Sequence, residues 1–521
     1  MASRAFQIAP RTVAGGAALA TLAALCVGSL GAVVWRAQGF AALGPQDWPA
    51  LRFTVLQASL SALISVGFAV PVARALARRR FPGDRALIAL MGLPFILPVI
   101  VAVMGLIAVF GRSGIVNAAL GTAGLPPVSI YGLQGVLVAH IFLNMPLAVR
   151  LILNGWSAIP AERFRLAASL GFGPRDMARW IERPMLRATL PGVALAIFLI
   201  CLTSFTVALT MGGGPRATTL ELAIYQAFRF EFDLAHAASL ASLQMAVSFG
   251  AALIGLGALR RDSLGAGLDR RAERWDAGAP VLRLLDTAWL GAAALFLSVP
   301  IILVMGSGLP LLTNLPASVW PAAARSVVVA VSAAALSVSL ALSIALMIAA
   351  LPRRAGLIAD AVAMLMLTAS PLVLGTGLFL ILRGFADPVA LALPVTALVN
   401  AAMALPFCLR AILPALSEIE TNYARLAASL DLTGFARLRL LILPRLRRPL
   451  GFSTGLAAAL SMGDLGVVAL FADPARATLP MQVYGLMSAY RSNQAAAAAL
   501  LLMGLSFTLF WVFDQWGRRD A

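Results

Sequence analysis

The sequence predicts an all-α transmembrane protein of twelve helices, arranged as two parallel six-helix repeats, and three observations carry that expectation. Hydrophobic residues make up 61% of the 521, charged residues only 12%, and mean hydropathy is +0.91, whereas soluble domains carry about 25% charged residues. The hexapeptide RLAASL occurs at 165–170 and again at 425–430, an offset of 260 residues, half of the chain. The same offset pairs Pro146 with Pro406, Arg150 with Arg410, Ile159 with Ile419, Pro184 with Pro444 and Arg187 with Arg447, so the chain is a tandem duplication. The third observation is the placement of the 40 basic residues, every one of them arginine.

A span needs about 20 mostly apolar residues to cross about 30 Å of hydrocarbon. Twelve stretches qualify: 13–35, 53–73, 87–110, 132–155, 188–211 and 236–259 in the first half, then 284–306, 326–351, 357–382, 391–413, 449–472 and 494–514. With the N-terminus in the cytoplasm, 31 arginines fall on the cytoplasmic side and 9 on the other, and the positive-inside rule then sets the orientation, both termini cytoplasmic. Arg78-Arg79-Arg80, Arg260-Arg261 and Arg353-Arg354 each close a span running inward. Such clusters read as topology signals and lipid headgroup contacts. Residues 1–35 have the basic-then-apolar order of a signal peptide, but the apolar run exceeds the 7–15 residues of an h-region and has a counterpart at 284–306, so it is kept as the first span.

Repeat 1 therefore occupies 1–259 and repeat 2 occupies 284–521. Between them, 260–283 switches to mixed charge with glycines and reads as a cytoplasmic linker. An even number of spans per repeat makes the repeats parallel, related by an axis along the membrane normal with a translocation path on or near it.

Composition also excludes chemistries. A net charge of +18 suggests nucleic acid in a soluble protein, but here the charge follows topology, so no nucleic acid is expected. Without lysine there is neither a P-loop lysine nor a Schiff base. Cys26, Cys201 and Cys408 lie far apart in apolar runs and read as packing residues. No cluster of His, Cys or carboxylates is readable, so no catalytic or metal residue is assigned and a membrane enzyme is disfavoured. A secondary transporter would be expected to carry several intramembrane ionisable groups.

The longest loops, 156–187 and 414–448, each hold one RLAASL. Leu166 and Leu170, like Leu426 and Leu430, are four apart and form one apolar stripe, with Arg165 and Ser169, or Arg425 and Ser429, alongside. A short amphipathic helix is implied in each loop. Ala167-Ala168 and Ala427-Ala428 keep part of its surface small, which admits a partner closely. Gly171 suits a left-handed C-terminal cap, and Pro184 and Pro444 suit the first turn of the next span. The bland alternative is an interfacial helix lying on lipid.

Two alanines, a glycine, and a proline thirteen residues beyond it form a pattern that resembles the EAA loop of binding-protein-dependent ABC importer permeases. The match covers Ala167, Gly171, Ile181 and Pro184, then Ala427, Leu441 and Pro444. Departures are Arg165 and Arg425 at the glutamate position, Leu166 and Leu426 at the first alanine, and Asp431 in place of the second glycine. The segments YGLQGVLVAHIFLNMP (131–146), MGGGPRATTLELAIYQA (211–227) and SMGDLGVVALF (461–471) are similar to the fused permeases for thiamine and thiamine pyrophosphate, with fused ferric-iron permeases the nearest alternative. The resemblance implies a type I importer permease fold (MetI-like) in a bacterial inner membrane. It implies two copies of a cytoplasmic ATPase, docked at Arg165, Ala167, Ala168, Gly171, Pro184, Arg425, Ala427, Ala428, Asp431 and Pro444, and a periplasmic binding protein that delivers the substrate. No cofactor is expected in this chain; ATP and Mg²⁺ belong to the ATPase.

For the path, Asp464 stands out as an acid about fifteen residues into a predicted span, where a carboxylate costs a few kcal/mol unless paired or wetted. It suits a cationic substrate, and equally suits pairing with the other half. Its counterpart is Ser204. His140 and Asn144, four apart, suit the path or helix packing. Met211, Gly212, Gly213 and Gly214 suit a gate or a plain turn.

Overall fold

The computed structural model describes residues 10–36, 41–214, 217–258, 278–471 and 476–518. The linker expectation at 260–283 falls largely outside them, as do Arg216 and Arg260-Arg261. Helices of the first half are α1 (Pro10–Arg36), α2 (Asp47–Arg78), α3 (Asp84–Leu90), α4 (Val99–Phe110), α5 (Ile115–Thr122), α6 (Leu133–Ser157), α7 (Ala161–Ser169), α8 (Pro174–Asp176), α9 (Arg183–Leu202), α10 (Phe205–Met211), α11 (Leu220–Gln226) and α12 (Leu234–Ala258). The second half gives α13 (Pro280–Gly308), α14 (Val319–Ala350), α15 (Arg353–Met364), α16 (Pro371–Leu382), α17 (Ala392–Ser429), α18 (Gly434–Arg437), α19 (Leu443–Met462), α20 (Gly466–Phe471), α21 (Leu479–Ser488) and α22 (Ser492–Arg518).

Among the described residues, eleven helical segments are long and apolar enough to cross a membrane. The expected span 357–382 is instead divided between α15 and the 12-residue α16. Ser370 causes the division: its hydroxyl accepts from the Val373 N–H at 3.2 Å, and Pro371 then starts a new helix where its missing N–H is harmless. The first half breaks in the same place, between α3 and α4, around Gly92, Pro94 and Pro98.

The fifth span of each repeat is also broken, which the apolar pattern of the sequence does not reveal. The chain leaves helix at Thr203-Ser204 between α9 and α10, and at Gly463–Leu465 between α19 and α20. Asp464 explains the second break. Its Oδ1 accepts from the Gly466 N–H at 3.3 Å, the local side-chain bond that makes aspartate compete with helix. Non-helical backbone is tolerated at this depth only where protein or a wet cavity satisfies it.

The halves repeat each other in detail. The Leu220 N–H donates to Thr54 Oγ1 at 2.8 Å, and at the equivalent place the Leu479 N–H donates to Ser326 Oγ at 2.8 Å. First helices are exchanged between repeats: α1 packs on α14 and α16, while α13 packs on α2 and α4. Both exchanged contacts run through a glycine. A Cβ on Gly105 of α4 would lie 2.6 Å from the Pro300 carbonyl oxygen of α13, and one on Gly377 of α16 would lie 2.2 Å from the Ser29 carbonyl oxygen of α1. Since the obstacle is backbone, Gly105→Val is expected to destabilise by about 1–3 kcal/mol, the usual overpacking range, read as a lower melting temperature in detergent.

Ion pairs at the arginine-rich end fasten the same exchange. Asp286 of α13 takes Arg79 Nε at 2.7 Å and Arg78 at 3.4 Å. Arg74 of α2 reaches the buried Glu182 at 2.7 Å. One acid thus ties repeat 2 to the end of α2, and another ties α2 to the approach to α9.

Candidate functional site

The RLAASL copies have one geometry. In the first, the Leu170 N–H donates to Leu166 O, Gly171 N–H to Ala168 O, and Phe172 N–H to Ala167 O, all at 3.0 Å. In the second the same three bonds run from Leu430, Asp431 and Leu432 to Leu426, Ala428 and Ala427. The last of each set is the six-to-one bond of a Schellman cap. Gly171 takes φ +67° and Asp431 takes φ +48°. The aspartate therefore adopts the left-handed conformation that glycine would, one that Asp tolerates better than most residues, and the departure in sequence leaves the backbone unchanged.

Burial divides the expected docking residues. Ala167 and Ala427 are buried against the body of the protein, whereas Ala168, Ala428, Arg165 and Arg425 are exposed. Only the second alanine of each pair is thus available to a partner. Leu166, Leu170, Leu426 and Leu430 are 51–61% exposed, so each helix turns an apolar stripe outward. Pro184 and Pro444 sit in the first turns of α9 and α19, as their missing N–H groups favour. A π-helical turn precedes each, Met177–Glu182 and Leu438–Ile442.

The hairpins do differ in how RLAASL joins the span before it. Pro160 stops α6 at Ser157 and lets α7 start afresh, because proline lacks the N–H and clashes with a preceding turn. The corresponding residue is Glu420, and α17 runs unbroken through it to Ser429. Glu420 pairs with Arg437 across the turn, and Arg445 stacks over the Tyr423 ring at 3.7 Å. A short separate helix was expected in both loops; the second is instead the end of a 38-residue helix.

Between the repeats lies a cavity of about 340 Å³, within the range that holds small organic ligands. Its wall is made where the third and fifth spans break, with Pro98 and Pro371 facing Ser204 and Asp464. His140, Asn144 and Asn400 contribute polar groups, and Phe95, Phe205 and Phe407 contribute rings. Asp464 Oδ2 is buried without a hydrogen-bond partner among the described residues. His140 Nδ1 lies 2.9 Å from Ser61 Oγ, and Asn144 Nδ2 donates to Cys201 Sγ at 3.3 Å. Both side chains thus bind a neighbouring helix and also line the cavity.

Met211 does not. It is buried, and its carbonyl accepts from the Gly132 N–H at 2.9 Å. Gly213, at φ +74°, packs so that a Cβ would lie 2.8 Å from Tyr131. Gly212 is buried, whereas Gly213 and Gly214 are exposed and both take positive φ.

Two cavity residues are not singled out by sequence. Asn400 donates to Ser461 Oγ at 2.9 Å; the 260 offset from His140 and Cys201 points to both. Glu221 is fully buried at the start of α11, in a stretch that reads as a connection between spans.

No protein-family profile matches the chain. It is 42% identical over 520 residues to the thiamine transport system permease protein ThiP of Brucella abortus (strain 2308), covering 97% of this chain and 95% of that one. It is 37% identical to the protein of the same name from Escherichia coli (strain K12), covering 100% and 99% of the two chains. With the Haemophilus influenzae protein of that name it shares 34% over 99% and 98%. The twofold helical membrane architecture, the cavity between the repeats and these end-to-end similarities place the chain in the thiamine transport system permease family.

Proposed function

We propose that the chain is the membrane subunit of an ABC importer that carries thiamine, and its phosphate esters, inward from a periplasmic binding protein. Energy comes from ATP hydrolysed by a separate cytoplasmic ATPase, one copy at each RLAASL helix. The N-terminus and both hairpins face the cytoplasm, as the 31-to-9 division of arginines favours.

The observation that carries this reading is the pair of hairpins: two exposed helices of equal cap geometry with leucines turned outward. An apolar stripe on a short helix suits a groove in a partner. When the ATPases close, the two helices move together. That motion reaches the cavity through α9 and α19, which lead from the hairpins to the breaks at Ser204 and Asp464. In the cavity, an aromatic cation such as thiamine meets Asp464 and the rings of Phe95, Phe205 and Phe407, a setting that favours cation–π contact.

The test is disulfide mapping in vesicles. Cys26 is replaced by Ala, since Cys201 and Cys408 are buried, and Leu166→Cys or Leu426→Cys is added. Crosslinks to the ATPase from both positions are expected. Labelling of both from the periplasmic side, with no crosslink, contradicts the assignment.

A further inference from the structure

The cavity has a second acid whose surroundings differ from those of Asp464. Glu221 Oε2 accepts from Ser370 Oγ at 2.9 Å, and Gln244 Nε2 lies 3.5 Å from Oε1. Gln244 also donates to Leu202 O at 3.0 Å, at the end of α9. Glu221 therefore sits between two chain breaks, that of the fifth span in repeat 1 and that of the third span in repeat 2, and it lines the cavity.

The duplication supplies an internal control for what the fold requires. Thr219 and Thr478 precede α11 and α21, so Pro480 stands where Glu221 does. Pro98 immediately precedes α4 as Ser370 immediately precedes α16, and Leu502 is as far into α22 as Gln244 is into α12. The other half builds the same bend from Pro480, Pro98 and Leu502, all apolar. A polar trio is not needed to make the turn. A hydroxyl and an amide also leave a carboxylate's charge unneutralised, and an ionisable group kept in the membrane interior points to function. Among the residues lining the cavity, Glu221 and Asp464 are acidic and none is arginine.

We propose that Glu221 is a second carboxylate that recognises the substrate's positive charge, held by Ser370 and Gln244 until an organic cation enters the cavity. With Asp464 on the other repeat, it gives the path one acid from each half. Ser370 belongs to the half opposite Glu221, so releasing the carboxylate to the substrate also loosens a tie between repeats. The inference rests on the thiamine reading above and narrows it to a cation with an apolar body.

Two variants separate charge recognition from a structural tie. Glu221→Gln keeps the length and an acceptor for Ser370 but loses the charge; Glu221→Asp keeps the charge and shortens the reach. Each is purified with its ATPase and reconstituted with thiamine-loaded binding protein, and thiamine moved per ATP hydrolysed is measured. For Glu221→Gln the yield is expected to fall about tenfold, a change of the size that one lost charge contact produces, with Glu221→Asp recovering most of it. Wild-type yield from Glu221→Gln, or loss with Glu221→Asp alone, overturns the proposal and leaves Glu221 a tie. Absence of thiamine uptake by the unmodified complex instead contradicts the substrate reading beneath it.

Discussion

Ala168→Trp is expected to strip the ATPase from the permease while leaving the permease folded and inserted. Ala168 is exposed on the outward side of α7, in the same turn as Leu166 and Leu170. An indole there holds a docking partner off by several ångströms. Loss of one central contact at an interface is worth about 2 kcal/mol, roughly thirtyfold in affinity. The neighbouring Ala167→Trp should behave differently, because Ala167 is 2% exposed and its environment has no room for a ring. That variant should lose folded protein. Co-purification of the ATPase, set beside monodispersity in detergent, reads both. Wild-type ATPase capture by Ala168→Trp would remove the exposed face of α7 from the interface.

Asp464→Asn should cut thiamine uptake about tenfold, the scale of one charge contact in a water-poor site. Asparagine retains an oxygen for the Gly466 N–H, so the break between α19 and α20 persists and the cavity keeps its shape. What disappears is the negative charge beside the path, including the buried Oδ2 that has no partner among the described residues. Melting temperature in detergent should stay near that of the parent. Unchanged uptake at saturating loaded binding protein would take Asp464 out of the path, and a large drop in melting temperature would make its role structural.

Much of the fold is legible in the sequence because membrane insertion and duplication both leave coarse marks. Apolar runs locate the spans, since hydrocarbon tolerates little else. The 260 offset matches Ser204 with Asp464 and His140 with Asn400, positions the structure brings to one cavity. The breaks are less legible. A stretch such as LTSFTVAL reads as continuous span because each of its residues is apolar or small, and nothing local shows that the backbone leaves helix at Ser204. Hydropathy likewise merges α15 and α16, although the Ser370-Pro371 pair carries the stop signal.

At the hairpins, the visible departure was Gly171 against Asp431, yet both take the left-handed conformation. The difference that alters the backbone is Pro160 against Glu420, eleven residues before the left-handed position, where Pro160 is the N-cap of α7 and Glu420 lies inside α17. Glu221 was concealed for another reason. Its partners Ser370 and Gln244 lie 149 and 23 residues away, and only the fold brings them together.

ATP-driven uptake is the most direct test of the whole assignment. The permease is reconstituted with its ATPase inside vesicles and binding protein outside, and radiolabelled thiamine accumulation is followed with and without internal ATP. The predicted result is thiamine uptake that requires both ATP and the binding protein, and that Ala168→Trp abolishes. Uptake of thiamine without ATP, or ATP-driven uptake that survives loss of both RLAASL faces, would contradict it.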